Sequence, residues 1–364
     1  MKESWKIEKM DFANDFDSFR ELVKLSFGPR ANISQEMHRW IFEDNPYNQG
    51  GHLLYVLKDG SKIIAADGLR PFGLYLNGRI LKGAYSVKSM THPDYRGQGI
   101  LRTMTENSVE RGKEAGVDVI IGYANAASYP AYQKFNWPTI FEREVFVRPL
   151  KITNLLYRRI KMNAPASFLN SCYQVYDNQK LKGIQRTTDP ELKAKVSDTV
   201  PPEVDECWQK HKEKYCAVKV RDYNYLNYRY NQRPDASYEC LLLKRGDTVE
   251  GFMIFRFADI NKSKVASIAE MFTDPHDKTA IASLAYAALD YFRSNDVDYT
   301  VLSTGGWGAY KSTLFSMGFR KTPHNPLNSM IVAKPLIDNF DVNEIMGHEK
   351  WHISQGEADI EFDF

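Results

Sequence analysis

The chain repeats itself, and that constrains its fold more than any other feature. Asn45-Pro46 followed by Tyr55-Val-Leu-Lys-Asp-Gly60 is echoed by Arg233-Pro234 followed by Leu241-Leu-Leu-Lys-Arg-Gly246. Met90-Thr-His-Pro93 returns as Phe272-Thr-Asp-Pro275, and Phe135-Asn-Trp137 as Met317-Gly-Phe319. The offsets are 188, 186, 182 and 182 residues, nearly constant and drifting only in loops. A duplication of that period in 364 residues predicts two domains of one fold, the second followed by a short tail.

Within the first copy the pattern is mixed. Trp5 to Met10 alternates like a strand, and Asp15 to Phe27 carries apolar residues at helical spacing. Leu53 to Leu57 and Lys62 to Ala66 flank the turn dipeptide Asp59-Gly60; Gly68 to Leu76 and Arg79 to Met90 flank Asn77-Gly78, which together predict an antiparallel meander. A glycine-containing loop, a helix from Ile100 to about Ala115, a strand at Val117 to Gly122 and a short helix around Tyr129 to Phe135 follow. The expected class is α/β (α+β), with a mixed, mostly antiparallel sheet flanked by helices in each copy. The expected domains are residues 1–150, a helical connection at 151–183 packed on the first domain, a second domain at 184–335 and a tail at 336–364.

Charge narrows the function. Lys plus Arg number 48 against 46 Asp plus Glu, so no whole-chain field is available to hold a nucleic-acid backbone. The basic cluster Leu156 to Met162, with Arg158, Arg159 and Lys161, reads as a solvated helix face. Cys172, Cys207, Cys216 and Cys240 form no C-x-x-C pair and read as reduced thiols. No stretch approaches the roughly 18 apolar residues that cross a bilayer, and the N-terminus is charged where a secretory leader is apolar. The expectation is a cytoplasmic protein that binds neither nucleic acid nor membrane, its oligomeric state left open.

The stretch Ser86-Val-Lys-Ser-Met-Thr-His-Pro-Asp-Tyr-Arg-Gly-Gln-Gly-Ile-Leu101 carries the chemistry. A strand enters a loop with glycines at 97 and 99, and a helix begins at once. Consecutive backbone N–H groups then converge at the positive end of a helix dipole, a site suited to phosphate or pyrophosphate. Glycine is needed there because a side chain would hold the phosphate away.

Arg96, Gly97, Gln98, Gly99, Ile100 and Leu101, preceded by His-Pro-Asp-Tyr, resemble motif A of the GNAT superfamily of acyl-CoA-dependent N-acyltransferases, R/Q-x-x-G-x-G/A. Leu101 departs from the final small residue. The G-[IL]-[LF] ending and the tandem layout are similar to the Eis-type aminoglycoside acetyltransferases, without their third domain. The resemblance implies that Val117 to Gly122 splays from its neighbour to admit the pantetheine arm. It also implies that Asn125 contacts the co-substrate and that Tyr132, in Ala131-Tyr132-Gln-Lys-Phe-Asn-Trp137, is the general acid for the leaving thiolate. A phenol with a pKa near 10 is protonated at neutral pH and suits that task. Asn136 stands where the family has Gly, and Asn tolerates the left-handed conformation. Backbone N–H groups of Ser89, Met90 and Thr91 would polarise the thioester carbonyl. The base for the amine is open between Asp67, Glu270, Glu357, Asp359, the terminal carboxylate of Phe364 and water.

The second copy keeps the pattern and loses the chemistry. His-Asp-Lys-Thr-Ala-Ile follows Phe272-Thr-Asp-Pro275, with no Arg or Gly, and Leu314 stands at the offset of Tyr132. The expected function is acetyl transfer from acetyl-CoA, as co-substrate, to a primary amine of a small molecule or amino sugar, with no metal. The alternative is a non-catalytic acyl-CoA-binding protein. His348-Glu-Lys-Trp-His352 matches H-E-x-x-H and would make a zinc hydrolase only if it were helical. Trp40, Phe42, Asn45 and Pro46, with Tyr228, Tyr230, Arg233 and Pro234, read as buried aromatics entering a strand, or as pocket walls. His92 reads as structural, and Arg70, Glu142 and Arg143 as solvated strand positions.

Overall fold

Asn77 and Gly78 adopt φ of +47° and +84°, the left-handed pair a two-residue type I′ hairpin demands. They join β3 (Lys62–Leu76) to β4 (Arg79–Thr91), two long strands in a computed structural model that describes residues 4–28, 34–154, 163–305, 308–322, 330–338 and 340–357. β1 (Trp5–Lys9) and β2 (Leu53–Asp59) extend this antiparallel meander, and β5 (Val119–Ala124) adds in parallel to β4. β6 (Thr139–Glu142) completes the first run of strands. α1 (Phe16–Phe27) buries Phe19, Leu22 and Val23; α2 (Gln35–Phe42) starts at Ser34, whose side chain accepts from the Met37 N–H at 3.1 Å. α3 (Ile100–Glu114) buries Ile100, Met104, Thr105, Ser108 and Gly112, a stripe of three- and four-residue spacing that lays one face on the sheet. α4 (Tyr129–Lys134) follows β5.

The second unit restates the scheme. β7 (Glu144–Pro149) and α5 (Asn163–Gln185) precede β8 (Leu192–Ser197), α6 (Val204–His211), β9 (Ala217–Lys219) and α7 (Tyr223–Leu226). Then come β10 (Glu239–Arg245), β11 (Thr248–Ile260), β12 (Ser263–Thr273), α8 (Lys278–Ser294), β13 (Tyr299–Gly305), α9 (Gly308–Ser316) and β14 (Arg320–Lys321). The register repeats to the residue: β4 and β5 pair from Gly83↔Val119 to Ser86↔Gly122, and β12 and β13 from Val265↔Tyr299 to Ile268↔Leu302. The α/β class with two mostly antiparallel sheets flanked by helices is therefore as the sequence predicts.

The units are not continuous stretches of chain. β15 (Met330–Pro335) pairs with β5 and β6 and belongs to the first unit, which comprises residues 1–142, 232–235 and 325–346. β7 pairs with β13 and belongs to the second, residues 143–231, 236–324 and 347–364, with β16 (Trp351–Ser354) beside β9 and β13. Boundaries at 150 and 335 would leave β7 and β15 with their own copies. Both are short, apolar strands, and nothing local in such a strand says which sheet it completes. α5 packs in the second unit, whereas the sequence placed it on the first domain: Arg293 of α8 donates to Gln174 at 3.2 Å, and Asp177 pairs with buried Arg148 of β7, itself part of that unit, at 2.8 Å.

Candidate functional site

The site forms where β4 parts from β5. Their ladder ends at Ser86↔Gly122. Immediately beyond, Ala66 faces Met90 while Gly68 faces Val87, so β4 runs three residues against two of β3. Lys88 occupies this bulge at φ +57°. A bulge sharpens local twist and bends its strand, which carries Ser89, Met90 and Thr91 away from the line of β5. Met90 and Thr91 still pair with Ala66 and Ala65 of β3, and successive N–H groups point to opposite edges of a strand, so every second donor of this stretch points away from β3.

The chain then turns into α3. His92 caps the short 3-10 turn Pro93–Tyr95, its Nδ1 accepting from the Asp94 N–H at 3.2 Å, a structural role. Arg96 Nε reaches back to the Thr91 carbonyl at 3.4 Å. Gly97 and Gly99 have φ of +76° and +79°, and a Cβ at either would meet nothing within 4 Å. Backbone conformation, not crowding, demands glycine here, and the space before the loop is open. Gly99 is the N-cap of α3 and brings no side chain to the first N–H groups of a 15-residue helix, which have no intrahelical partners. Ile100 is buried beneath, Leu101 half-buried and Gln98 exposed. The arrangement can hold an anion on backbone dipoles.

On the other side stands Tyr132 of α4. Its ring packs on Trp137 with centroids 4.9 Å apart, and its hydroxyl lies 3.1 Å from Ser86 Oγ, on the last residue of β4 that still pairs with β5. Burial, and next the charge of Asp67, raise the phenol above its ordinary pKa, so it is held protonated. Ser86 Oγ lies 3.2 Å from Ser89 Oγ, which donates to Asp67 Oδ1 at 2.5 Å. Asp67 is 1% exposed; burial pushes its carboxyl up to about 6, against the opposing pull of Ser89, Ser108 and the Gly68 N–H.

Asn125 follows β5, and its Oδ1 accepts from the N–H groups of Ala127 and Ser128, each at 3.0 Å, which fixes the turn into α4. Asn136 has φ +57°, the left-handed conformation that its place in the sequence suggested.

A family model for the acetyltransferase (GNAT) domain matches residues 7–140. These residues are a GNAT domain. No curated protein matches the chain. Among solved structures, a GCN5-related N-acetyltransferase from Anabaena variabilis is similar over 92% of this chain and 73% of its own, with TM-score 0.65 and 14% identity. A conserved protein of unknown function from Enterococcus faecalis V583 is similar over 91% and 73%, with TM-score 0.61 and 13% identity. Saccharomyces cerevisiae N-myristoyltransferase with bound myristoyl-CoA is similar over 92% of this chain and 82% of its own, with TM-score 0.59 and 11% identity. At these identities the likeness concerns the fold, and it extends beyond the GNAT domain into the second unit.

The second unit fills the equivalent positions differently. Where the GNAT domain has Gly99, Asp277 caps α8, and its carboxylate accepts from the N–H groups of Thr279 and Ala280, each at 2.9 Å. That helix terminus is neutralised by its own chain. Leu314, at the offset of Tyr132, is 2% exposed. Glu270 is likewise buried in the second unit, where Arg221 Nε donates to it at 2.9 Å and Tyr230 at 2.8 Å.

The remaining expectations sort as follows. H-E-x-x-H is not helical: His348 lies in a 3-10 turn and His352 in β16, packed among Tyr215, Phe272 and Tyr310. The two histidines therefore do not share the helical face that zinc needs. Arg70 and Arg143 are buried, 4% and 8% exposed, and Arg70 sits over the Tyr85 ring, which corrects their reading as solvated. Trp40 and Phe42 are core residues at 3% and 0% exposure, and Arg233 lies 5.5 Å from the Trp40 ring within the first unit. The cysteines are free thiols. The basic cluster at 156–162, Asp359, Phe364 and the Glu357 side chain lie outside the described residues. Among the described residues no helix is long and apolar enough to cross a membrane. Sequence reasoning missed Ser86; its signal was a hydroxyl three residues from Ser89 on the motif strand.

Proposed function

We propose that this chain is an N-acetyltransferase that moves the acetyl group of acetyl-CoA to a primary amine of a small molecule or amino sugar. The observation that carries the proposal is the meeting, at one strand splay, of an uncapped helix N-terminus and a buried, protonated phenol. A GNAT fold supports acyl transfer in general; the acetyl donor and the amine are the finer part of the reading.

In this reading the loop Arg96, Gly97, Gln98, Gly99, Ile100 and Leu101 holds the pyrophosphate on its N–H groups. Within Ser89, Met90 and Thr91, the backbone donors on the edge away from β3 take up the negative charge that grows on the thioester oxygen as the amine attacks. Tyr132 protonates the sulfur as the carbon–sulfur bond breaks. Asn125 borders the pantetheine arm and fixes the turn that places Tyr132.

The test is release of CoA thiol from acetyl-CoA in the presence of a panel of primary amines, with each product checked for an added acetyl group. Acetylated amine supports the proposal. Binding of acetyl-CoA without acetylation of any amine would leave a non-catalytic binder and overturn it.

A further inference from the structure

The GNAT domain contains a row of three hydroxyls that ends on a buried carboxylate. Tyr132 Oη to Ser86 Oγ is 3.1 Å, Ser86 Oγ to Ser89 Oγ is 3.2 Å, and Ser89 Oγ to Asp67 Oδ1 is 2.5 Å. Each hydroxyl has one proton to donate, and an ionised carboxylate only accepts. The direction of the whole row therefore follows from its end. With Asp67 ionised, Ser89 donates to Asp67, so Ser86 donates to Ser89 and Tyr132 to Ser86; the phenol proton points inward and its lone pairs face the gap. With Asp67 protonated the order reverses, and Tyr132 is free to offer its proton outward.

We propose that Asp67, Ser89 and Ser86 act as a proton relay whose port is Tyr132, so that one buried carboxylate both receives the proton of the attacking amine and returns it to the leaving thiolate. This rests on the acyltransferase reading and deepens it. Attack forms the nitrogen–carbon bond and leaves nitrogen with an excess proton. That proton passes to Tyr132 Oη while the phenol proton moves to Ser86, that of Ser86 to Ser89, and that of Ser89 to Asp67. The carbon–sulfur bond then breaks with its electron pair on sulfur, the thiolate takes the Tyr132 proton, and the row shifts back to leave Asp67 ionised. Nitrogen and sulfur are bonded to the same carbon, so one phenol oxygen can serve both. Asp67, Ser89 and Ser86 are positioning residues, because only Tyr132 meets the reacting atoms.

The duplicated unit supplies a control. By the registers of the two sheets the positions of Asp67, Ser86 and Ser89 are taken by Met253, Ile268 and Met271, and by the 182-residue offset that of Tyr132 is taken by Leu314, all apolar. The whole row is absent where the helix terminus is also closed. The fold does not need these hydroxyls for itself.

The groups around Asp67 are defined. Tyr55 of β2 pairs opposite it, with Arg111 of α3 over the Tyr55 ring at 5.8 Å; Ser108 of α3 lies beside it, and Tyr132 approaches from α4. Burial is the largest influence on its carboxyl and sets it at about 6.

The test reads the relay without substrate. In protein carrying tyrosine labelled with carbon-13 at Cζ, and with Tyr132 assigned by Tyr132→Phe, the Tyr132 signal should step near pH 6 as the row reverses. The step should vanish in Ser89→Ala and in Asp67→Asn, and return in Ser89→Thr. A step that persists in Ser89→Ala would report only the distant charge and overturn the relay, as would its absence from the wild type. With acetyl-CoA and an amine that the wild type acetylates, kcat should fall on the acid side of pH 6. Ser86→Ala and Ser89→Ala should lose roughly 10²-fold of kcat at pH 7.5, and combining Ser89→Ala with Asp67→Asn should lose no more. Wild-type kcat in the serine variants would also overturn the relay. If the wild type acetylates no amine, the functional reading fails, while the Cζ titration still decides the relay.

Discussion

The hydroxyl of Tyr132 lies 3.1 Å from that of Ser86, and this contact joins α4 to β4 at the last residue pair before β4 and β5 separate. Tyr132 is thus fixed to the strand that carries the bulge. Its ring is held by Trp137 and its environment keeps the phenol protonated.

Tyr132→Phe keeps the ring and removes the proton. We expect a loss of about 10²-fold in kcat with the KM for acetyl-CoA unchanged, measured by thiol release. A rise in KM with kcat intact would place the hydroxyl in binding instead.

Asp67→Asn should separate stability from activity. The folded carboxyl is raised from 3.8 to about 6, so its contribution to stability is complete below about 3.8 and is lost as pH rises through about 6. At pH 7.5 the ionised group opposes folding by on the order of 2–3 kcal/mol, from roughly 1.4 kcal/mol per pKa unit. Asp67→Asn should therefore be more stable than the wild type in urea at pH 7.5 and gain little at pH 4, while losing turnover.

The repeat, the Asn77-Gly78 hairpin and the left-handed Asn136 were legible because each leaves a local mark in the sequence. So was the turn before α3, where Gly97 and Gly99 stand at positive φ. The bulge was not legible, since it places Lys88 in the left-handed region with no glycine or asparagine to announce it. Without the bulge the approach of Ser89 to Asp67 cannot be foreseen, and Asp67 stays one carboxylate among several. The placement of β7 and β15 was hidden for a different reason: sheet membership depends on long-range pairing.

The second unit turns on a buried ion pair. Burial alone would raise the Glu270 carboxyl, but Arg221 and then Lys219 outweigh it and hold it below its ordinary value. Arg221→Ala would strand that carboxylate and should cost about 3–5 kcal/mol in chemical denaturation. Because a lowered carboxyl stabilises above its unfolded pKa and loses that effect as pH falls, the deficit should shrink in acid.

Asp277→Ala removes the cap of α8, which takes two N–H groups at 2.9 Å. A loss of about 1 kcal/mol in thermal or urea unfolding is expected. No change would mean that α8 does not rely on its own carboxylate.

The most direct test is calorimetric titration of acetyl-CoA into the wild type beside Gly99→Glu, with circular dichroism to confirm that both are folded. Glutamate there forces a side chain onto a backbone at φ +79° and sets a carboxylate before the open end of α3. The account predicts saturable binding by the wild type and none by the folded variant. Equal binding by both, or none by the wild type, would contradict it.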